Sequence, residues 1–175
     1  MLIESLKTPL GELVLGVDSS GVSLCTFSEY FGGVIAGADT DAEIDGTAHE
    51  HQRGCSCCRK SLDVMKAAKG AVRDYFRGQQ DALQRVSIAP SGTDFQADVW
   101  SALRKIKYGK TKSYGQIAAA IKRPKAVRAV GTACGANPVI LFIPCHRVVA
   151  TNGGLGGFSA GLERKEYLLD LERSS

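Results

Sequence analysis

The sequence predicts an α+β protein in two parts, a small antiparallel sheet with a helix followed by a mostly helical half. Three observations predict it. Apolar and polar residues alternate through LIESLKTPLGELVLGVDSSGVSLCTF, with breaks at Pro9-Leu10-Gly11 and Ser19-Ser20-Gly21. Apolar residues then recur at helical spacing from Ser61 onward, and the composition turns basic just after Pro90-Ser91-Gly92. The expected division is therefore residues 1–90 and 93–175, which suits a chain of 175 residues. A hydrophobic content of 44% and a charged content of 23% exclude wholesale disorder and a coiled coil. No stretch approaches the roughly 18 apolar residues of a membrane span. Glu4, Lys7 and Glu12 stand where a signal peptide needs an apolar core, so an intracellular protein with no membrane partner is expected.

The first 27 residues read as two or three antiparallel strands, and residues 29–60, rich in Gly, Asp and small residues, as mostly loop. A helix follows, capped by Ser61, with Leu62, Met65, Ala68, Val72, Tyr75 and Phe76 on one face and Gly78 as its stop. Gln84 to Ala89 reads as a further strand. Past the junction, Thr93 with Gln96 forms a capping-box pattern ahead of the stripe Phe95, Val99, Trp100, Leu103 and Ile106. Ser113 can cap a short helix from Tyr114 to Ile121. Lys122-Arg123-Pro124-Lys125 then makes a tight turn into a second helix, from about Ala126 to Ala136.

Two short helices joined by a few turn residues suggest a helix-turn-helix. The second helix, AVRAVGTACGAN, carries Ala, Gly, Thr and Cys where a major-groove reader would carry Asn, Gln and several Arg. Small side chains allow close backbone approach, so such a helix fits a shallow or widened minor groove with Arg128 as its one long cationic probe. An ordinary helical pair packed through its Ala/Gly face is the competing reading. Charge bears on the choice. Residues 1–92 hold 9 Lys+Arg against 12 Asp+Glu, whereas residues 93–175 hold 13 against 6. The stretch Arg104 to Arg128 holds nine basic residues and no acidic one, a field suited to a polyanion, although a solvated basic face has the same composition.

Six cysteines (25, 55, 57, 58, 134 and 145) in a chain without an export signal point to reduced thiols, metal ligands or a nucleophile. Ile-Pro-Cys-His-Arg-Val-Val, residues 143–149, is the most specific segment. A thiol becomes a useful nucleophile when a base or a positive charge moves it toward thiolate, and His146 and Arg147 are the available perturbers. Neighbours in an extended chain face opposite ways, so Cys145 and His146 need a sharp turn or a bridging water to cooperate. A buried structural cysteine beside a satisfied histidine is the plainer alternative.

From Phe95 through Glu172 the chain resembles the O6-alkylguanine-DNA alkyltransferase family of direct-reversal repair proteins. The resemblance rests on Ser113 to Gln116, Arg128 to Gly131, Asn137-Pro138, Ile143 to Val149, the loop Gly153 to Ser159, and Lys165 with Glu172. The N-terminal half matches only in its strand-then-helix character, for which the family implies a ribonuclease-H-like arrangement. The resemblance implies a guanine flipped out of the duplex, with its alkyl group passing once and irreversibly to Cys145. His146 would take the thiol proton through a water and Glu172 would orient the imidazole; Tyr114 would donate to guanine N3 and Ser159 near O6. Lys165 would add positive potential or hold the loop, and Asn137 would fix the active-site turn. The carbonyls of Cys145 and Val148 would read the exocyclic amine, with Gly156 and Phe158 forming the pocket. Arg128 would fill the gap in the duplex, with Ser113, Arg123, Lys125, Ala126, Ala129 and Thr132 on the DNA.

Phe158 departs from the family's frequent Tyr and can only be an apolar wall. The resemblance also implies no cofactor, duplex DNA containing O6-alkylguanine as partner and O4-alkylthymine as a second substrate; a helix-turn-helix used for lesion search needs no palindromic site and hence no dimer, so a monomer is expected. Its compartment would be the nucleus in a eukaryote or the cytoplasm in a prokaryote. Some members of the family hold a structural zinc, but this chain lacks their spacing. It has instead His49, His51, Cys55, Cys57 and Cys58, where a flexible loop is expected and a zinc site is the lesser reading. A non-catalytic binder of alkylated DNA and a Cys-His hydrolase are the rival functions; the first would not need Cys145 and the second would have no use for the helix-turn-helix.

Overall fold

The computed structural model describes residues 1–31 and 55–174. Strands β1 (Leu2–Thr8), β2 (Gly11–Val17) and β3 (Val22–Phe27) form an antiparallel sheet in that order, with Thr8 opposite Gly11 and Leu13 opposite Phe27. Helix α1 (Ser56–Phe76) packs on β1 and β2 and buries Met65, Ala68, Ala71, Val72 and Tyr75. The remainder is mostly helical: α2 (Asp94–Arg104), α3 (Tyr114–Ala120), α4 (Val127–Gly135) and α5 (Leu162–Ser174), with β4 (Lys112–Ser113) pairing in parallel with β5 (Val148–Val149). A mixed fold with an N-terminal sheet and a helical C-terminal half is therefore observed. No described helix is long and apolar enough to cross a membrane.

Both expected capping boxes are present. Thr93 accepts from the Gln96 N–H while the Gln96 side chain accepts from the Thr93 N–H, and Ser113 and Gln116 do the same. The helix-turn-helix is α3 and α4, joined through Lys122 at φ 59°. Two expectations fail. Helix α1 begins at Ser56, so Ser61 lies inside it, donating to the Cys57 carbonyl, and Leu62 is exposed on a turn that the sheet does not cover. Residues 84–89 are not a strand: Leu83–Arg85 is a 3-10 turn, and only Ile88 makes a bridge, to Val22. The expected loop over 29–60 lies mainly outside the described residues.

Strand β3 joins the two halves. Val22 receives the Ala89 N–H and donates to the Ser87 carbonyl, while Cys25 donates to the Pro138 carbonyl (2.8 Å) and receives the Ile140 N–H (2.9 Å). Its outer edge is thus paired with the segment that leads into Cys145. Leu13, Phe27 and Tyr75 share one core with Trp100, Leu103 and Ile143. Trp100 Nε1 also donates to the Ala133 carbonyl at 2.9 Å, tying α2 to the last turn of α4, where carbonyls lack helical partners. Trp100→Phe removes that donor and should lower stability by about 1–3 kcal/mol, read as a fall in the urea midpoint at unchanged m-value.

Candidate active site

The nucleophile segment is shaped before any catalytic contact is considered. Asn137 is buried; its Oδ1 accepts the Val139 N–H at 3.0 Å, and its Nδ2 donates to the Ile143 carbonyl at 2.9 Å and to Cys145 Sγ at 3.2 Å. Leu141, at φ 70°, turns the chain in a left-handed conformation that a branched side chain adopts only at a cost. Cys145–Arg147 is a 3-10 turn. Three residues per turn set successive side chains about 120° apart, rather than on the opposite faces of an extended strand.

Burial pushes the Cys145 thiol up, and the Asn137 hydrogen bond and the Lys165 charge only partly oppose it, so the resting group is a thiol that needs a base. His146 is fully buried, and burial lowers its pKa, which keeps it neutral at pH 7. Its Nε2 lies 2.8 Å from Glu172 Oε1, while Nδ1 has no partner among the described residues. The carboxylate therefore selects the Nε2–H tautomer and leaves Nδ1 with its lone pair available for a proton. Arg147, expected to act on the thiol, instead turns to Glu172: Nε donates to Oε2 at 2.8 Å, one terminal nitrogen donates to Oε1 at 2.9 Å, and the other donates to the Ile106 carbonyl at 2.6 Å.

Two further donors to Glu172 could not be picked out from the sequence. The Tyr75 hydroxyl, from α1, donates to Oε1 at 2.8 Å, and the Gly109 N–H donates to Oε2 at 3.1 Å. Gly109 has φ 68°, and a Cβ there would sit 2.8 Å from the Glu172 carbonyl oxygen. Burial alone would raise Glu172, but the hydrogen bonds and charges of His146 and Arg147 outweigh it and bring the carboxyl to about 2.

Lys165 is wholly buried and donates to the carbonyls of Val148 (2.6 Å), Leu155 and Gly157 (3.1 Å). It clamps the loop to β5, and burial lowers its pKa. The loop closes a cavity of about 110 Å3 lined by Tyr114, Gly131, Cys134, Gly135, Cys145, Gly157, Phe158 and Ser159. That volume exceeds the ~10–15 Å3 one water occupies and falls short of the ~300–1,000 Å3 of drug-sized sites, so it suits one flat ring system. Tyr114's hydroxyl lies 3.4 Å from the Gly157 carbonyl, and at Gly156 a Cβ would come within 2.9 Å of that hydroxyl. Phe158 meets the His146 ring edge-on at 6.4 Å. Cys134 is a second pocket thiol, pushed up to about 12 mainly by burial; its position three residues after Gly131 on α4 was the available sequence signal.

Helix α4 carries the cavity on one side and an exposed face on the other. Arg128, Ala129 and Thr132 are exposed on it, Ala126 is its half-buried N-cap, and Lys125 is exposed in the turn. Arg123 is also exposed but lies 3.8 Å from Asp98 and over the Phe95 ring. Arg104, one of the nine basic residues, donates instead to the Gln84 and Val86 carbonyls. Ser113 serves as the α3 cap and is half-buried. Of the sulfur and imidazole cluster, Cys55, Cys57 and Cys58 head α1, whereas His49 and His51 lie outside the described residues.

Glu172 and His146 both bind protons less readily folded than unfolded, so stability should fall as pH drops, first through the ordinary histidine range and then from the unfolded carboxyl value of 4.5 toward about 2. Urea midpoints at pH 7 and pH 3.5 should show that loss. Tyr75→Phe should lower the stability at both pH values by about 1–3 kcal/mol while keeping the difference between them, because the ion pair survives.

Residues 94–174 match the model of the 6-O-methylguanine DNA methyltransferase DNA-binding domain. A methylated-DNA–protein-cysteine methyltransferase of Methanosarcina acetivorans is 36% identical over 168 residues, covering 96% of each chain. The structure of Mycobacterium tuberculosis OGT in complex with DNA superposes with a TM-score of 0.72 at 34% identity, over 97% of this chain and 91% of that one. The O6-methylguanine-DNA methyltransferase of Pyrococcus kodakaraensis gives 0.60 at 26% identity, over 97% of each chain. With a buried cysteine at the floor of a base-sized cavity beside a helix-turn-helix, and a relative matched along nearly its whole length, the chain belongs to the methylated-DNA–protein-cysteine methyltransferase family.

Proposed function

We propose that the protein repairs O6-alkylguanine, and O4-alkylthymine, by moving the alkyl group from DNA to Cys145. The observation that carries the reading is the His146 imidazole, fixed by Glu172 through Nε2 with a buried, unpartnered Nδ1. His146 Nδ1 takes the thiol proton through a water. The Sγ electron pair forms the new S–C bond in line as the C–O6 bond breaks, and the pair from that bond leaves on the guanine. Tyr114 and Ser159 donate to the developing charge at N3 and O6; Lys165 holds the loop that presents Ser159. The carbonyls of Cys145 and Val148 accept from the exocyclic amine, and Phe158 and Gly156 leave room for the base.

The extrahelical base reaches the cavity from the α4 face. Arg128 fills the gap it leaves, and Ala129 and Thr132 permit close approach in the minor groove. Ser113, Arg123, Lys125 and Ala126 contact the backbone. Residues 93–175 then carry DNA binding and transfer, and residues 1–90 support them. The reaction needs no cofactor, and nothing in the site cleaves a thioether, so each monomer acts once. The compartment is wherever the cell keeps its DNA.

Mixing the protein with a duplex carrying one O6-methylguanine should add one methyl, 14 Da, to the peptide containing Cys145. Cys145→Ala should bind the duplex without transfer. An unmodified Cys145, or several turnovers per protein, would overturn the reading. Arg128→Ala should slow repair of the duplex at least tenfold, about 1.4 kcal/mol, and leave the reaction with free O6-benzylguanine nearly unchanged. Equal losses on both would remove the duplex role.

A further inference from the structure

The repair site makes no use of the three cysteines at the head of α1. Cys55 is the residue before the helix, in an extended conformation, and Cys57 and Cys58 lie in its first turn. The sulfur atoms of all three lie within 4.8 Å of one another. Cys55 and Cys57 are joined as a disulfide with their Cα atoms 5.5 Å apart, and Cys58 is free. Cys57 is exposed and the other two are partly so, which leaves the cluster reachable from solvent.

Three thiolates bound at the usual Zn–S distance of about 2.3 Å stand roughly 3.8–4.0 Å apart; after reduction the Cys55 and Cys57 sulfurs move apart from their bond, and Cys58 starts no farther than 4.8 Å from either. The first turn contains no acidic residue, Cys55 makes no side-chain cap bond, and Arg59 and Lys60 follow directly. Free N–H groups and the positive end of the helix dipole there offset the charge that three thiolates gather. Thiolate sulfur selects d10 cations such as Zn(II) and Cu(I). Three ligands from four consecutive residues make a cap on one side of an ion, unlike the two separated pairs of a zinc finger.

We propose that in the reduced protein Cys55, Cys57 and Cys58 bind one thiophilic d10 cation through three thiolates, and that the Cys55–Cys57 disulfide is the metal-free, oxidised form of the same site. Reduction takes two electrons and two protons from a dithiol, which itself becomes a disulfide; binding the cation then releases the three thiol protons. The cluster lies about 27 Å along α1 from Tyr75, at 1.5 Å per residue, so loading leaves Cys145 untouched.

The test is an anaerobic titration of the reduced, full-length protein against a chromophoric chelator for Zn(II) and, separately, bathocuproine disulfonate for Cu(I). The wild type should hold one equivalent more of at least one ion than the C55S/C57S/C58S variant, which should keep full alkyl transfer. Equal uptake by the two proteins, including none by either, overturns the proposal. Should the variant fail to fold, iodoacetamide footprinting of the wild type decides. The ion should protect the peptide containing the three cysteines at least tenfold, and protection that is absent, or confined to Cys145, overturns it.

Discussion

The Glu172 carboxylate is where the chain's distant parts meet. Its two oxygens accept from Tyr75 of α1, His146 and Arg147 of the nucleophile turn, and the Gly109 N–H of the loop before β4. Burying a carboxylate is expensive, and an ion pair with one arginine barely compensates; the further hydrogen bonds make this one tolerable. Removing one partner of such a pair leaves the other charged and dry, which costs about 3–5 kcal/mol. The same carboxylate fixes the histidine tautomer, so a structural necessity and the polarity of the proton acceptor are settled by one group.

The geometry around the thiol follows from that anchor. Arg147 is occupied on the far side of the turn and so adds no positive charge at the sulfur. Cys145 stays protonated in the resting state and is protected from casual electrophiles by burial. Asn137 orients the sulfur, and Lys165 spends its hydrogen-bonding capacity on three carbonyls of the loop and β5. Its charge still reaches the pocket, where it favours a thiolate once one forms. Small residues on α4 serve both sides of the helix: Gly131 and Gly135 line the cavity inside, and Ala129 and Thr132 are exposed outside.

What the sequence made legible was local. Thr93 with Gln96 and Ser113 with Gln116 announce their helices because a capping box is complete within four residues. The turn at Lys122 and the strand alternation of the first 27 residues are equally short-range. Periodicity identified one face of α1 but not how far along the helix that face is covered, hence the exposed Leu62. Residues 84–89 look like a strand, yet only Ile88 makes a bridge, to Val22 of β3. At the site, motif order singled out Cys145, His146 and Glu172, whereas Tyr75 reaches Glu172 across 97 positions of sequence, where no spacing rule operates. Arg147 reads as a perturber only through its closeness to Cys145 in sequence, whereas its guanidinium is taken up by Glu172 and the Ile106 carbonyl, groups that lie far off in sequence.

The pairing of Pro138 and Ile140 with Cys25 has a further consequence. A chain segment stitched to a sheet edge on one side and pinned by Asn137 on the other has little freedom to advance toward a ligand. The sulfur therefore sits at a set depth below the exposed face of α4, and the substrate must cover the whole distance. A strand from the opposite end of the chain thus acts as a depth gauge: in the proposed reaction it fixes how far a nucleotide has to leave its stack before the thiol can touch it.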